Sequence, residues 1–350
     1  MTATFSASAA APSADPEAAR PTRAASAVAA LRQSGGEHAG LLAVLVIAVI
    51  ALSVAAPNFL TTGNLLDVAR QLSFTGIIAF GMTLVIVAGE IDISVGSAIA
   101  FASAFFGVLV VQQGFPLWLA ALAVCVAGTL VGAGAGMARA RLNVPSFIVT
   151  LALFSALSGL ALLVTNAIPI PITDIAFAQW GNGAVLGVPI PAIVMVATFV
   201  AFWVLANRTS FGRSVYAIGG NPEAARLSGI AVARVRTTLF SITGLLAAIS
   251  GLLQTSQLGA GNPTIGRGVE FAVITAVIVG GANLYGGRGS MVGTLLGVVF
   301  IGVLNNGMVL LGVNSYAQYV ANGVIVLLAV LISGFRPRIG RRTLIGTSRK

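Results

Sequence analysis

From Ala39 to Phe335 the chain is a succession of long apolar stretches separated by short polar segments. Of its 350 residues, 57% are hydrophobic and 8% charged, against roughly 25% charged in a soluble domain, so most of its surface must face hydrocarbon. Dividing about 200 apolar residues into spans of about 20 gives ten transmembrane helices. Ten apolar runs are found, at about 40–56, 72–88, 95–112, 116–137, 146–164, 190–206, 237–258, 269–282, 290–311 and 317–333. Several are shorter than 20 residues, which implies tilt or helices interrupted at Gly and Pro. The expected fold is an all-α integral membrane protein, with a transmembrane domain at 39–335.

The basic residues fix an orientation. With the N-terminus inside and ten crossings, seventeen of the 19 basic residues fall in inside segments, leaving Arg70 and Arg267 outside. Such asymmetry favours cytoplasmic termini and an even number of spans. Residues 1–38, rich in Ala, Ser and Pro, read as a disordered cytoplasmic tail. The polar stretch before Leu41 is too long for the n-region of a signal peptide. Residues 336–350 read as a basic cytoplasmic tail.

Rare residues exclude several chemistries. Lys350 is the only lysine, so no phosphate-binding GxxxxGK[ST] loop exists and the chain does not hydrolyse ATP by that route. His38 is the only histidine, which leaves no Ser-His-Asp relay and no HExxH metal helix. Cys125 is alone, so no intrachain disulfide forms. No catalytic residue, metal site or bound cofactor is expected. The formal charge of +10 reports membrane orientation rather than nucleic-acid binding, because the basic residues sit between apolar runs.

Four-residue glycine spacing marks helix packing: Gly128, Gly132 and Gly136 in one run, Gly293 and Gly297 in another. Stacked on one face, such glycines let two backbones approach where lipid supplies no hydrophobic drive. An internal echo links Thr83–Gly89 (TLVIVAG) to Thr275–Gly281 (TAVIVGG), each followed by a polar turn and a Gly-Ser pair, although Val and Ile matches are cheap in apolar runs. Transporters commonly carry such repeats.

Three segments are candidates for function. GEIDISVGS, residues 89–97, places Glu90 and Asp92 between apolar runs, where an ionised group needs a cavity, the interface or a partner. Asp92 or Ser94 either caps the next helix or touches solute; Glu90 is open. The segment from Asn207 to Arg236 contains a good helix start at Asn221, Pro222 and Glu223 and a good stop at Gly229. A short helix over about Pro222 to Ser228, with Ala224 and Ala225 exposed, is a surface for another protein; a plain polar loop is the alternative. Asn305, Asn306, Gln318 and Asn322 are uncharged amides at membrane depth, which either join helices or line a path for a polar solute.

At these residues the chain resembles the ribose-type permease family, the membrane subunits of binding-protein-dependent bacterial ABC importers. GEIDISVGS resembles that family's acidic signature, SVYAIGGNPEAARLSGI its cytoplasmic coupling segment, and GVEFAVITAVIVGGANLYGGRGSMVGTLLG with VLNNGMVLLGVNSY its C-terminal signature. The similarity runs over about 39 to 335. It implies a multi-pass protein of the bacterial inner membrane and a homodimer, or a dimer with a close relative, around one path for a sugar or similar small polar solute. It further implies a separate cytoplasmic ATPase that carries ATP and Mg, and a periplasmic solute-binding protein. Residues Gly219, Gly220 and Asn221 through Gly229 would plug into the ATPase, and Gly280, Gly281, Gly286, Gly287 and Gly289 would form a close-packed turn. Glu90 and Phe271 depart from the family pattern and put the identity of the solute in doubt. A secondary transporter driven by an ion gradient is the main alternative, opposed by the placement of all nine acids in tails, loops or helix ends.

Overall fold

The computed structural model describes residues 23–335, with side chains described for 39–328 and Leu331. Of the expected tails at 1–38 and 336–350, residues 1–22 and 336–350 lie outside the described residues. Thirteen helices occur in this span: α1 (Arg23–Ala55), α2 (Thr62–Val87), α3 (Val95–Gly107, continued by a π turn at Val108–Gln112), α4 (Leu117–Leu142), α5 (Ser146–Thr165), α6 (Ile175–Asn182), α7 (Ile190–Arg208), α8 (Ser210–Gly220), α9 (Pro222–Leu227), α10 (Val232–Leu258), α11 (Val269–Val279), α12 (Met291–Leu310) and α13 (Ser315–Phe335). Two antiparallel ladders of two residues per strand interrupt the helical pattern: β1 (Ile170–Pro171) pairs with β4 (Ala260–Gly261), and β2 (Ala184–Val185) with β3 (Val188–Pro189).

Every one of the ten apolar runs is helical, but seven helices among the described residues are long and apolar enough to cross a membrane: α2, α3 with its π turn, α4, α5, α7, α10 and α12. Helix α11 is shorter, and in α1 and α13 the described apolar stretches are Ala39–Ala55 and Ser315–Leu328. Boundaries shift where polar residues occupy a helix end. Helix α2 starts ten residues before the first apolar position assigned to it, capped by Thr61 and carrying Asn64, Asp67 and Arg70 in its first turns. Helix α10 likewise takes in Arg234 and Arg236. Helix α1 begins at Arg23, within the stretch read as a tail, where a run rich in Ala has high intrinsic helix propensity.

Helices α2 and α10 form the centre. From Phe80 to Ala88 of α2 and its end, no side chain is more than slightly exposed. Helices α4, α5 and α7 lie outside, showing apolar side chains such as Leu122, Leu130, Leu151, Val196 and Val200. Hydrophobic side chains all round a helix carry no penalty when the surrounding medium is lipid.

Close backbone contact sets the inner packing. An added Cβ at Gly128 would come within 2.6 Å of the Gly244 carbonyl oxygen, and one at Gly132 or Gly136 would overlap the backbone at Phe240 or within 2.5 Å of Thr237 Cα, all on α10. Gly280, which caps the end of α11, faces Gly293 on α12, and Gly297 faces Ala276. The internal echo has a shared geometry. At the end of α2, the N–H groups of Ala88, Gly89 and Glu90 donate to the carbonyls of Leu84, Ile86 and Val85; at the end of α11, those of Gly280, Gly281 and Ala282 donate to Ala276, Ile278 and Val277. Gly89 and Gly281 both hold positive φ, 76° and 95°, the left-handed turn that glycine enters without steric cost.

Candidate functional site

Two polar regions stand out, one protruding and one buried. The protrusion is α8–α9. Thr209 opens α8 by accepting the Gly212 N–H at 3.1 Å, and Val215 and Ile218 bury one face. Phe211, Val215 and Ile218, spaced four and three apart, are the amphipathic signal for this helix, which sequence reading left within a loop. Gly219 lies directly on the backbone of Val87 and Gly287, and the Tyr216 hydroxyl donates to the Gly289 carbonyl at 2.8 Å. Helix α8 is thereby fixed to the end of α2 and to the turn containing Gly286 and Gly287.

Helix α9 follows at once. The Asn221 side chain accepts the N–H groups of Glu223 and Ala224, each at 3.0 Å, satisfying donors that a helix start leaves free. Glu223 and Arg226 pair at 2.7 Å on the exposed face. Hydrogen bonding and charge attraction from Arg226 hold the Glu223 carboxyl below its ordinary value and raise the guanidinium in return. Ala224 is exposed as expected, but Ala225, expected to be exposed too, is buried because it lies on the opposite face of the turn, and Leu227 is exposed instead. Gly229, with φ of 84°, turns the chain into α10.

The buried region is the non-helical segment from Ala88 to Ser94. Glu90 is 2% exposed. Both its oxygens accept from Arg139 Nε, at 3.1 and 3.0 Å, and Oε1 also lies 2.6 Å from Arg236 Nε. The Arg236 contact lacks the alignment of a hydrogen bond. Asp92 Oδ1 accepts from the backbone N–H and hydroxyl of Ser94, at 3.0 and 2.6 Å, while Oδ2 accepts from Thr243 at 2.8 Å. Ser94 occupies the cap position of α3 without a side-chain capping bond, so Asp92 serves the backbone just ahead of it. The N–H groups of Ile91 and Ile93 donate to Ser146 and Thr150 on α5.

This segment climbs along α10. Thr243 is seven residues beyond Arg236, about 10 Å along the axis at 1.5 Å per residue, and Gly251 farther along packs on Ile99 of α3. Helix α3 therefore opens part-way through the bundle. Irregular backbone at that depth survives only inside protein, with its polar groups satisfied. Glu270 joins it there, 2% exposed, with Oε1 accepting the Gly268 N–H at 3.2 Å, Oε2 beside Gly96, and no hydrogen-bond partner for Oε2. Asp92 keeps its loop position and Glu270 its helix end, as the sequence places them, yet both are buried within the bundle.

The four amides separate. Asn306 and Asn64 exchange reciprocal bonds of 2.8 and 3.0 Å, joining α12 to α2. Gln318 donates to the Val313 carbonyl at 2.9 Å. Asn305 Oδ1 is buried without a hydrogen bond, and Asn322 is half-buried on α13. Glu90, Asp92 and Ser94 come together around α10; the amides lie apart from them on α12 and α13.

A family model described as the permease component of the branched-chain amino acid transport system matches residues 64–332. The chain is 48% identical to a probable ABC transporter permease protein, YphD, of Escherichia coli strain K12, over 83% of this chain and 88% of that one. It is 45% identical to the ribose import permease protein RbsC of Bacillus subtilis strain 168, over 82% and 90%, and 35% identical to the xylose transport system permease protein XylH of Haemophilus influenzae, over 78% and 89%. No solved structure matches. Matching the family model over most of its length, and these permeases over most of theirs, the chain belongs to the ABC transporter permease family described by the branched-chain amino acid transport permease component.

Proposed function

We propose that this protein is the membrane subunit of a binding-protein-dependent ABC importer and forms the path for a sugar or similar small polar solute. Relatives named for ribose, xylose and L-arabinose support a sugar as cargo. In this reading the chain crosses the inner membrane ten times with both ends cytoplasmic, pairs with a second permease chain, receives solute from a periplasmic binding protein and binds no cofactor itself. A separate ATPase holds ATP and Mg. The observation that carries it is α9: a capped, exposed six-residue helix, too short to stand without a docking partner, at the end of a chain segment clamped to α2. Closure of the ATPase moves α9, and the bundle exchanges inward-open for outward-open.

Replacing Glu223 and Arg226 together with glycine tests this. Uptake by the reconstituted importer should fall at least about tenfold while the protein stays in the membrane and ATP hydrolysis continues; unchanged uptake refutes the coupling role. An ion-gradient-driven secondary transporter is the second reading, favoured by the unpartnered Oε2 of buried Glu270. Uptake by the purified chain alone in liposomes under a proton or sodium gradient would establish it instead.

A further inference from the structure

Glu90 has no role in the reading above, yet it is the best-enclosed charged contact among the described residues. Its two partners belong to one rigid pair of helices. Arg139 lies three residues beyond Gly136, and Arg236 immediately precedes Thr237, the residue whose Cα packs on Gly136. Helices α4 and α10 thus meet backbone to backbone beside the two arginines and hold two guanidiniums facing one carboxylate. The arginine side chains are 17% and 16% exposed, and Glu90 2%. Removal of the carboxylate would leave two like charges close together with no counter-ion.

Position in the chain gives the cluster its meaning. Arg236 sits in the second turn of α10, which α9 enters through Ser228 to Ala231. Glu90 sits on the segment that leads into α3, and that segment is stitched to α5 by Ser146 and Thr150. Resting on the transport reading, we infer that Glu90 is a positioning residue that transmits displacement of the start of α10, driven through α9, to the segment 88–94 and so to α3 and α5.

An ion pair suits this task better than packing. Coulomb attraction falls only as the inverse of distance, whereas dispersion forfeits up to about half of its well within an ångström of separation. Oε1 is shared between Arg139 Nε and Arg236 Nε, so the carboxylate can pass from one guanidinium to the other as the elements slide without becoming unpaired. Both guanidiniums move with the α4–α10 pair, and the carboxylate between them is drawn along with it.

The test uses the full importer with its ATPase and binding protein in proteoliposomes, in a Cys125→Ser background with Ile91→Cys as a reporter. In the otherwise unaltered protein, maleimide labelling at position 91 should differ at least about fivefold between the nucleotide-free and ATP-trapped states. Glu90→Gln should reduce that difference to less than about twofold, cut uptake per molecule at least about tenfold and leave ATP hydrolysis running without its dependence on the binding protein. Should Glu90→Gln fail to reach the membrane, Arg236→Lys, which keeps the charge and loses the planar fork, decides by the same ratio of uptake to hydrolysis. Labelling insensitive to nucleotide, or variants whose uptake and hydrolysis fall in proportion, overturns the inference. Absence of ATP-driven uptake in the unaltered complex overturns the transport reading, and this inference with it.

Discussion

Among the described residues, two ion clusters pair glutamate with arginine, and they are opposite in kind. Glu223 and Arg226 pair on one turn of α9 with both side chains more than 60% exposed, whereas Glu90 meets Arg139 and Arg236 from three different elements, almost out of contact with solvent. Water screens the first, so the pair only steadies a short helix, and exposed pairs of this type contribute little to stability. Burial of the second means that each partner depends on the others, because a charge left alone there has neither water nor counter-ion. Charge alone therefore says little about importance; the number of separate elements that converge on it says more.

The strongest way to break this contrast is Glu90→Ala. It should destabilise the folded bundle by about 3 kcal/mol, the lower end expected for removing one member of a buried pair, since the arginines keep some exposure. Thermal unfolding in detergent measures it, and a shift no larger than that of Glu223→Ala would erase the distinction between the clusters. Next in size is Gly132→Val. Its branched side chain must displace the α10 backbone at Phe240, costing about 1–3 kcal/mol as overpacking does elsewhere and spreading the guanidiniums apart. A matched loss of stability for Gly134→Val, where no neighbour lies within 4 Å of an added Cβ, would show that the seam has no special part in holding them.

Smaller effects belong to α9. Asn221→Ala removes the cap and should cost about 1 kcal/mol of local helix stability, read as faster proteolysis between residues 216 and 230 with no change in global unfolding. The smallest effect is one of pH. Because the Glu223 carboxyl is held below its ordinary value by Arg226, the contribution of the pair is complete above the ordinary carboxylate range near about 4 and is lost only as pH falls through the lowered value. Proteolysis of α9 should therefore be flat from about pH 6 to 8. A rise across that interval would place the titrating group elsewhere.

Much of the site was open to sequence reasoning because the signals are local. Asn221, Pro222 and Gly229 specify a start and a stop within a few residues, and α9 covers Pro222–Leu227. Four-residue glycine spacing in the fourth apolar run likewise names one face of one helix, and that face is the one against α10. Other features depend on distant partners. Glu90 has no neighbour in sequence that reveals Arg139 and Arg236, and Asp92 finds Thr243 only across the bundle. Helix α8 was missed because its amphipathic face is short and follows α7 after a single residue, Thr209.

Composition, apolar periodicity and turn chemistry were enough to determine a helical membrane protein, the existence of its apolar helices and the small capped protrusion, since each rests on propensities acting within a turn or over the length of one helix. The depth at which α3 begins, the enclosure of Glu90 between two arginines and the placement of Asp92 and Glu270 inside the bundle were decided by tertiary structure alone. Those properties depend on which backbones approach closely enough to exclude water and lipid from a charge, and that is set by contacts between segments far apart in the chain.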